Sequence, residues 1–137
     1  MEKEDKEPHG TYRHYVLDGW NIYIGKNDAQ NDELTTRFAN PGDIWMHVHG
    51  FAGAHVVIRC EDNSPRPSKE VIAKAASLAV WFSKAKHASY ARVHCTEARH
   101  VHKRRKSPPG EVTVEKYKTL RASPVSPQFI SPGNDAF

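Results

Sequence analysis

A chain of 137 residues has the length of one domain with one modest core, and 38% hydrophobic against 26% charged residues is the composition of a folded protein with a water-exposed surface. No apolar run is long enough to span a bilayer, residues 1–7 are charged and lack the apolar stretch of a signal peptide, and Cys60 and Cys95 are too few for a disulfide framework, so these features point to the cytoplasm. The net charge is +4 overall, −2 over residues 1–8 and −1 over 122–137, which leaves +7 on residues 9–121; the span from Lys84 to Lys106 holds eight Lys or Arg against Glu97, a basic patch suited to phosphate backbones or to plain solubility.

Residues 1–10 read as a charged flexible tail and 11–121 as the folded domain. Strands at 12–17 and 20–24 flank Asp18-Gly19, a pair that accepts positive φ at both central positions of a two-residue hairpin. Asp28 is placed to cap a short helix over 29–38, which Asn40-Pro41-Gly42 ends. Strands follow at 43–48 and 55–60. Alternation puts Ile44, Met46, Val48, Val56, Ile58 and Cys60 in the core and Asp43, Trp45, His47, His49, His55 and Arg59 outward.

Ser68 is the expected N-cap of a long helix over 69–86, with Val71, Ile72, Ala75, Leu78, Ala79 and Phe82 forming a buried stripe. A strand over 92–96 turns Val93 and Cys95 inward and Arg92 and His94 outward. Residues 103–110 are a basic, proline-containing loop before a final hairpin of 112–114 with 117–120. From Ala122 to Phe137, prolines, serines and weak periodicity predict a disordered tail. The fold class is therefore α+β, a single compact domain with a mostly antiparallel sheet, one long packed helix and a short helix.

The outward face of 43–49 carries an acid, an indole and two imidazoles, an odd set to expose unless something binds there. Catalysis uses these residues poorly. Asp43 and His47 are roughly 13 Å apart along a strand, too far for direct proton transfer. No nucleophile elbow or phosphate-cradling Gly-rich loop is present. A metal site on His47, His49 and His55 is geometrically conceivable, but the glutamate that usually follows a cupin His-x-His pair is missing, and neither cysteine sits in a zinc-knuckle pair. The expectation is no enzyme, no cofactor and no metal.

A nucleic-acid site employs the same residues better. Asn27, Gln30 and Asn31 offer amides for base edges or sugar hydroxyls; Trp45, His47 and His55 offer stacking planes; Asp43 shares their face; Lys26, Arg59, Lys103, Arg104 and Arg105 offer charge for phosphates. Structural roles compete at several positions: Asn27 and Asn31 are also placed to cap the helix, Trp45 to be half-buried, Asp43 to hold a turn and His55 to satisfy a backbone carbonyl.

Several blocks then resemble a known family. They are Gly25-Lys26-Asn27, Gln30-Asn31-Asp32 with Leu34-Thr35, Asp43-Ile44-Trp45-Met46-His47, and Gly53-Ala54-His55-Val56-Val57-Ile58-Arg59, followed by Val101-His102-Lys103, Pro109-Gly110-Glu111-Val112, Lys118-Thr119-Leu120 and Pro124. In this order they are similar to the NFACT-R domain at the C-terminal end of ribosome-quality-control and fibronectin-binding-like proteins. Ala54 stands where that family usually has serine, and Lys103-Arg104-Arg105-Lys106 is more basic than its pattern. The resemblance implies RNA binding, to tRNA or rRNA and through them to the ribosome, in translation or ribosome quality control. Multidomain relatives add an NFACT N-terminal domain, a helix-hairpin-helix domain and a coiled coil, so a stand-alone module is expected to bind RNA without tailing activity of its own. The alternative is an RNA (tRNA) modification enzyme or accessory factor of tRNA thiolation, with a histidine-based metal site. The sequence leaves the oligomeric state open, and a protein adaptor using the Pro-rich tail is a third reading.

Overall fold

Among the described residues, strand alternation and two well-capped helices build a seven-stranded antiparallel sheet, in the order Lys118–Ala122, Ala91–Glu97, Ile44–Val48, Val56–Ile58, Trp20–Ile24, Arg13–Leu17 and Ser131–Pro132, with a separate two-stranded ribbon of Val101–His102 and Thr113–Val114. The computed structural model describes residues 12–61 and 65–133. β1 (Arg13–Leu17) and β2 (Trp20–Ile24) form the expected hairpin, with Asp18 at φ 49° and Gly19 at φ 85° in its turn. Helix α1 (Asp28–Glu33) continues as one π-helical stretch, Leu34–Phe38, and closes where the Ala39 amide donates to the Leu34 carbonyl. The N-cap is Asn27 rather than Asp28, since the Asn27 side chain accepts from the Gln30 amide.

β3 (Ile44–Val48) sits centrally between β4 (Val56–Ile58) and β5 (Ala91–Glu97). Helix α2 (Lys69–Trp81) starts at the predicted Ser68 cap, whose hydroxyl accepts from the Val71 amide. It stops before the predicted Lys86. The Phe82 carbonyl accepts from the Ala54 amide and the Lys84 amide donates to Ala52, so pairing with the 52–54 segment replaces further helical bonds. One face of α2 packs Val71, Ala75, Leu78 and Ala79 on Ile22, Ile24, Ile44, Met46, Val48, Val56, Ile58 and Val93, the main core that alternation predicts.

The last third of the chain departs from expectation. β7 (Thr113–Val114) does not form a hairpin with the next strand; it pairs with β6 (Val101–His102), while β8 (Lys118–Ala122) pairs with β5. The chain changes partner at Lys116, which adopts φ 52°, and the Thr96 hydroxyl bonds the carbonyls of Glu115 and Lys116 there. Alternation identifies strands, but a non-local partner offers the same hydrogen bonds as a neighbour. Residues 122–133 are also not the structureless tail their composition predicts. A 3-10 turn, Pro127–Phe129, leads to β9 (Ser131–Pro132), which pairs with Tyr15 and Val16 at the edge of the sheet, a position where proline costs little. The charged segment 1–10 and residues 134–137 lie outside the described residues.

A second, smaller core covers part of the opposite sheet face. Tyr12, Leu34, Phe38, Trp45 and Val57 are its centre, and Val101, Val112 and Val114 pack against it. α1 and the β6-β7 ribbon thus roof one stretch of the face and leave the stretch around His49 and His94 open.

Candidate nucleic-acid interface

Under the α1 roof, the conspicuous residues of the sequence become a buried frame. Asp43 is 0% exposed; its carboxylate accepts from the Asn40 amide at 2.8 Å, the Cys60 amide at 2.8 Å and Arg59 Nε at 3.0 Å. Arg59 also donates to the Phe38 carbonyl at 2.8 Å and lies 3.9 Å over the Phe38 ring, which ties the end of the π stretch to β4. Asn31, 4% exposed, accepts from the His55 amide through Oδ1 at 3.0 Å. A Cβ on Gly25 would collide with that same Asn31 amide, so the glycine lets α1 close on β4.

Trp45 and His55, at 1% and 2% exposed, are joined by one polar chain. The Trp45 indole N–H donates to Thr35 Oγ1 at 2.9 Å, and Thr35 Oγ1 is 2.6 Å from His55 Nδ1. His55 Nε2 lies 3.1 Å from the Gly110 carbonyl, which can only accept, so Nε2 carries the proton and Nδ1 accepts from the Thr35 hydroxyl. Burial first, and the neighbouring His47 second, lower the His55 pKa to about 3, in keeping with this neutral ring.

Asp43, Trp45, Asn31 and His55 therefore do not offer the exposed contacts that strand alternation and residue type suggest; another layer covers the face they occupy. Their polar atoms are spent on holding α1, β3, β4 and the 103–110 loop together.

That loop is fastened to α1. Lys103 Nζ is 2.9 Å from Asp32 Oδ1 and donates to the carbonyls of Pro108 and Glu111, and the Gly110 amide donates to Asp32 Oδ1 at 3.2 Å. Gly110 is at φ 84°, and a Cβ there would press on Asp28 at 3.2–3.4 Å, so both conformation and contact call for glycine. Lys103 is thus a fastener, while Arg104, Arg105 and Lys106 point into solvent. Close by in sequence to the α1 cap, Lys26 and Asn27 are exposed. Asn27 and Gln30 form a reciprocal cap, in which Gln30 Oε1 accepts from the Lys26 amide at 3.0 Å and Asn27 Oδ1 from the Gln30 amide at 2.8 Å.

Beyond the roof the sheet face is lined by rings that the sequence does not bring together. β3 and β5 pair His47 with His94, and the His94 ring lies between His49, centroid 4.6 Å away, and Tyr117, 3.9 Å away, stacked on both. His47, half-buried, stands edge-on to His55 at 5.4 Å. Burial lowers the pKa of His47 and of His94. Next to these rings a cleft of about 420 Å³ opens toward Glu111, Val112 and Val114. A second cleft of about 360 Å³ is bordered by Arg13, Lys26, Asn27, Trp81 and Lys84, and Phe51, 45% exposed, belongs to the loop between the segments lining the two. In the sequence His94 reads as outward and Tyr117 as a hairpin residue, and no local signal sets either beside His49. Among the described residues, no group of three His, Cys, Asp or Glu side chains converges in a way that could hold a metal ion, and no helix is long and apolar enough to cross a membrane.

Comparison with known proteins reaches nearly the whole of this architecture. The family model described as the NFACT protein RNA binding domain matches residues 11–116. The chain is 43% identical over 120 residues to the Rqc2 homolog RqcH of Streptococcus suis, covering 87% of this chain and 21% of that protein. It is 43% identical over 106 residues to the Rqc2 homolog RqcH of Bacillus subtilis, covering 77% and 18%. The chain spans about a fifth of the length of these curated relatives. Among solved structures, the C-terminal part of the fibronectin/fibrinogen-binding protein from Streptococcus suis superposes with a TM-score of 0.79 at 40% identity, over 88% of this chain and 48% of that one.

Proposed function

The chain belongs to the family defined by the NFACT protein RNA binding domain, and on that premise we propose that it binds structured RNA of the translation machinery, tRNA or rRNA, as a non-catalytic module acting in the cytoplasm. The observation that carries the reading is the docked 103–110 loop. Asp32 is engaged by Lys103 and the Gly110 amide, so an acid that would repel a phosphate is occupied in fixing the loop. Arg104, Arg105 and Lys106 are left exposed, and Lys26 is exposed at the start of the helix on which the loop docks. Four cations on a rigid support suit a backbone of phosphates and demand no particular sequence.

The likeness to RqcH proteins supports a place in ribosome quality control, with binding, not amino-acid tailing, as the contribution of this module. Fluorescence anisotropy of labelled tRNA and of rRNA fragments, titrated across a series of salt concentrations, tests the proposal. Neutralising four phosphates gives a slope of log K against log salt of roughly −3. A flat salt response, or no binding to either RNA, rejects it. Mass spectrometry of tRNA incubated with the protein separates the reading from RNA modification, which requires a change in nucleotide mass.

A further inference from the structure

We propose that the cleft beside the Tyr117–His94–His49 ring stack is a pocket for a single unpaired nucleobase. The inference rests on the RNA-binding reading and narrows it, because it assigns the base-contacting role to residues away from the exposed cations.

The lining of the cleft decides which part of an RNA it suits. Among the described residues that line it there is no lysine or arginine, and Glu111 stands at its border, so a phosphate placed there would meet no compensating charge. Three of its imidazoles are poor sources of that charge: burial disfavours the protonated forms of His47 and His94, and His55 is held neutral by the Gly110 carbonyl and the Thr35 hydroxyl. A flat, uncharged ring fits far better. One wall is Val112 and Val114, and the other is a series of planes already stacked at 3.9 and 4.6 Å.

Tyr117 ends that series and remains 45% exposed although its ring is stacked on His94, so its position allows a base to extend the stack. Trp45 and His55, both buried beneath the roof, close the inner end of the cleft. Charge resumes immediately outside: Arg92 and Arg121 are paired across β5 and β8, two residues along the strand from His94 and on the same face. They are placed to take the phosphates on either side of an inserted base. A base can reach this cleft only if it is free of its partner, so the substrate class is RNA with an unpaired segment: an overhang, a loop or a bulge.

The test uses two RNA hairpins of equal nucleotide number, one ending in a single-stranded overhang that contains 2-aminopurine and one in which the same position is paired. The overhang RNA is expected to bind roughly ten-fold more tightly than the paired RNA, with the 2-aminopurine emission altered on binding. Tyr117→Ala and His49→Ala, both at exposed positions, are expected to abolish this preference and leave affinity for the paired RNA within two-fold, roughly the value of the unmodified protein. Equal binding of both RNAs with no change in emission overturns the base pocket while leaving RNA binding intact. A preference that survives both substitutions places the base elsewhere and also overturns it. Binding to neither RNA removes the RNA-binding reading and this inference together.

Discussion

The neutral state of His55 gives the structure a measurable acid sensitivity. The ring is 2% exposed and both nitrogens are committed, Nε2 to the Gly110 carbonyl and Nδ1 to the Thr35 hydroxyl. A second proton on Nδ1 would displace the Thr35 hydrogen from its acceptor and leave a charge under α1. Its folded pKa is lowered from 6.5 to about 3, chiefly by desolvation. Because the folded value lies below the unfolded one, the stabilisation is complete above pH 6.5 and is lost as pH falls from 6.5 toward 3. Each pH unit within that window costs about 1.4 kcal/mol, so acidification from about pH 7 to 5 removes about 2 kcal/mol through this group. Burial lowers the pKa of His47 and His94 as well, which adds in the same direction. His55→Gln removes the titrating group while keeping a polar side chain. It is expected to be about 2 kcal/mol less stable than the unmodified protein near neutrality, from imperfect replacement of two buried hydrogen bonds, and about equal to it at pH 5. Urea unfolding followed by tryptophan emission, with Trp45 as a buried reporter, measures both. Stabilities of protein and variant that run parallel through this pH range would show that His55 is not held neutral in the fold, since His47 and His94 titrate in both and the gap closes only through His55.

Asp43→Ala strips the acceptor from Asn40, Cys60 and Arg59 and is expected to cost about 3–5 kcal/mol in thermal unfolding. The folded fraction of that variant should bind RNA with unchanged affinity; loss of binding by a folded sample would return Asp43 to the contact surface. Gly110→Ala, strained by about 1–3 kcal/mol, should raise amide hydrogen exchange in residues 103–110 and weaken RNA binding with little change in the main core. The double variant Arg104→Gln/Arg105→Gln should leave stability unaltered and reduce the salt slope by roughly 1.5; an unchanged slope would show that these arginines do not neutralise phosphates.

Local signals in the sequence carried as far as local physics reaches. Asp18-Gly19, the Ser68 cap and the alternation of Ile44, Met46 and Val48 each depend on residues within a turn or strand, and the structure has all three. Pairing choices depend on what the rest of the chain offers. Thr113 and Val114 alternate as a strand must, but nothing in them distinguishes β8 from β6 as partner. Ser131-Pro132 lacks strand-forming side chains and is nevertheless held by the free edge of β1.

The candidate site follows the same division. Period-two alternation correctly put Asp43, Trp45, His47 and His49 on one side of β3, but a side of a strand is exposed only if no other element covers it. The sign that cover existed was available in the π-helical stretch that continues α1: Leu34 and Phe38, four apart, need an apolar surface to lie on, and Trp45 with Val57 supplies one across β3 and β4. The roof ends between Trp45 and His49. Within two steps along one strand face the role of a ring thus changes from fixing the fold to facing solvent, with His47 half-buried at the boundary. His49 gains its significance from β5, because the His47–His94 register sets His94 against it and against Tyr117, residues 45 and 68 positions away in the chain. A base-sized cleft is therefore a property of the β3-β5 pairing and of where α1 stops, and neither β3 nor β5 alone encodes it.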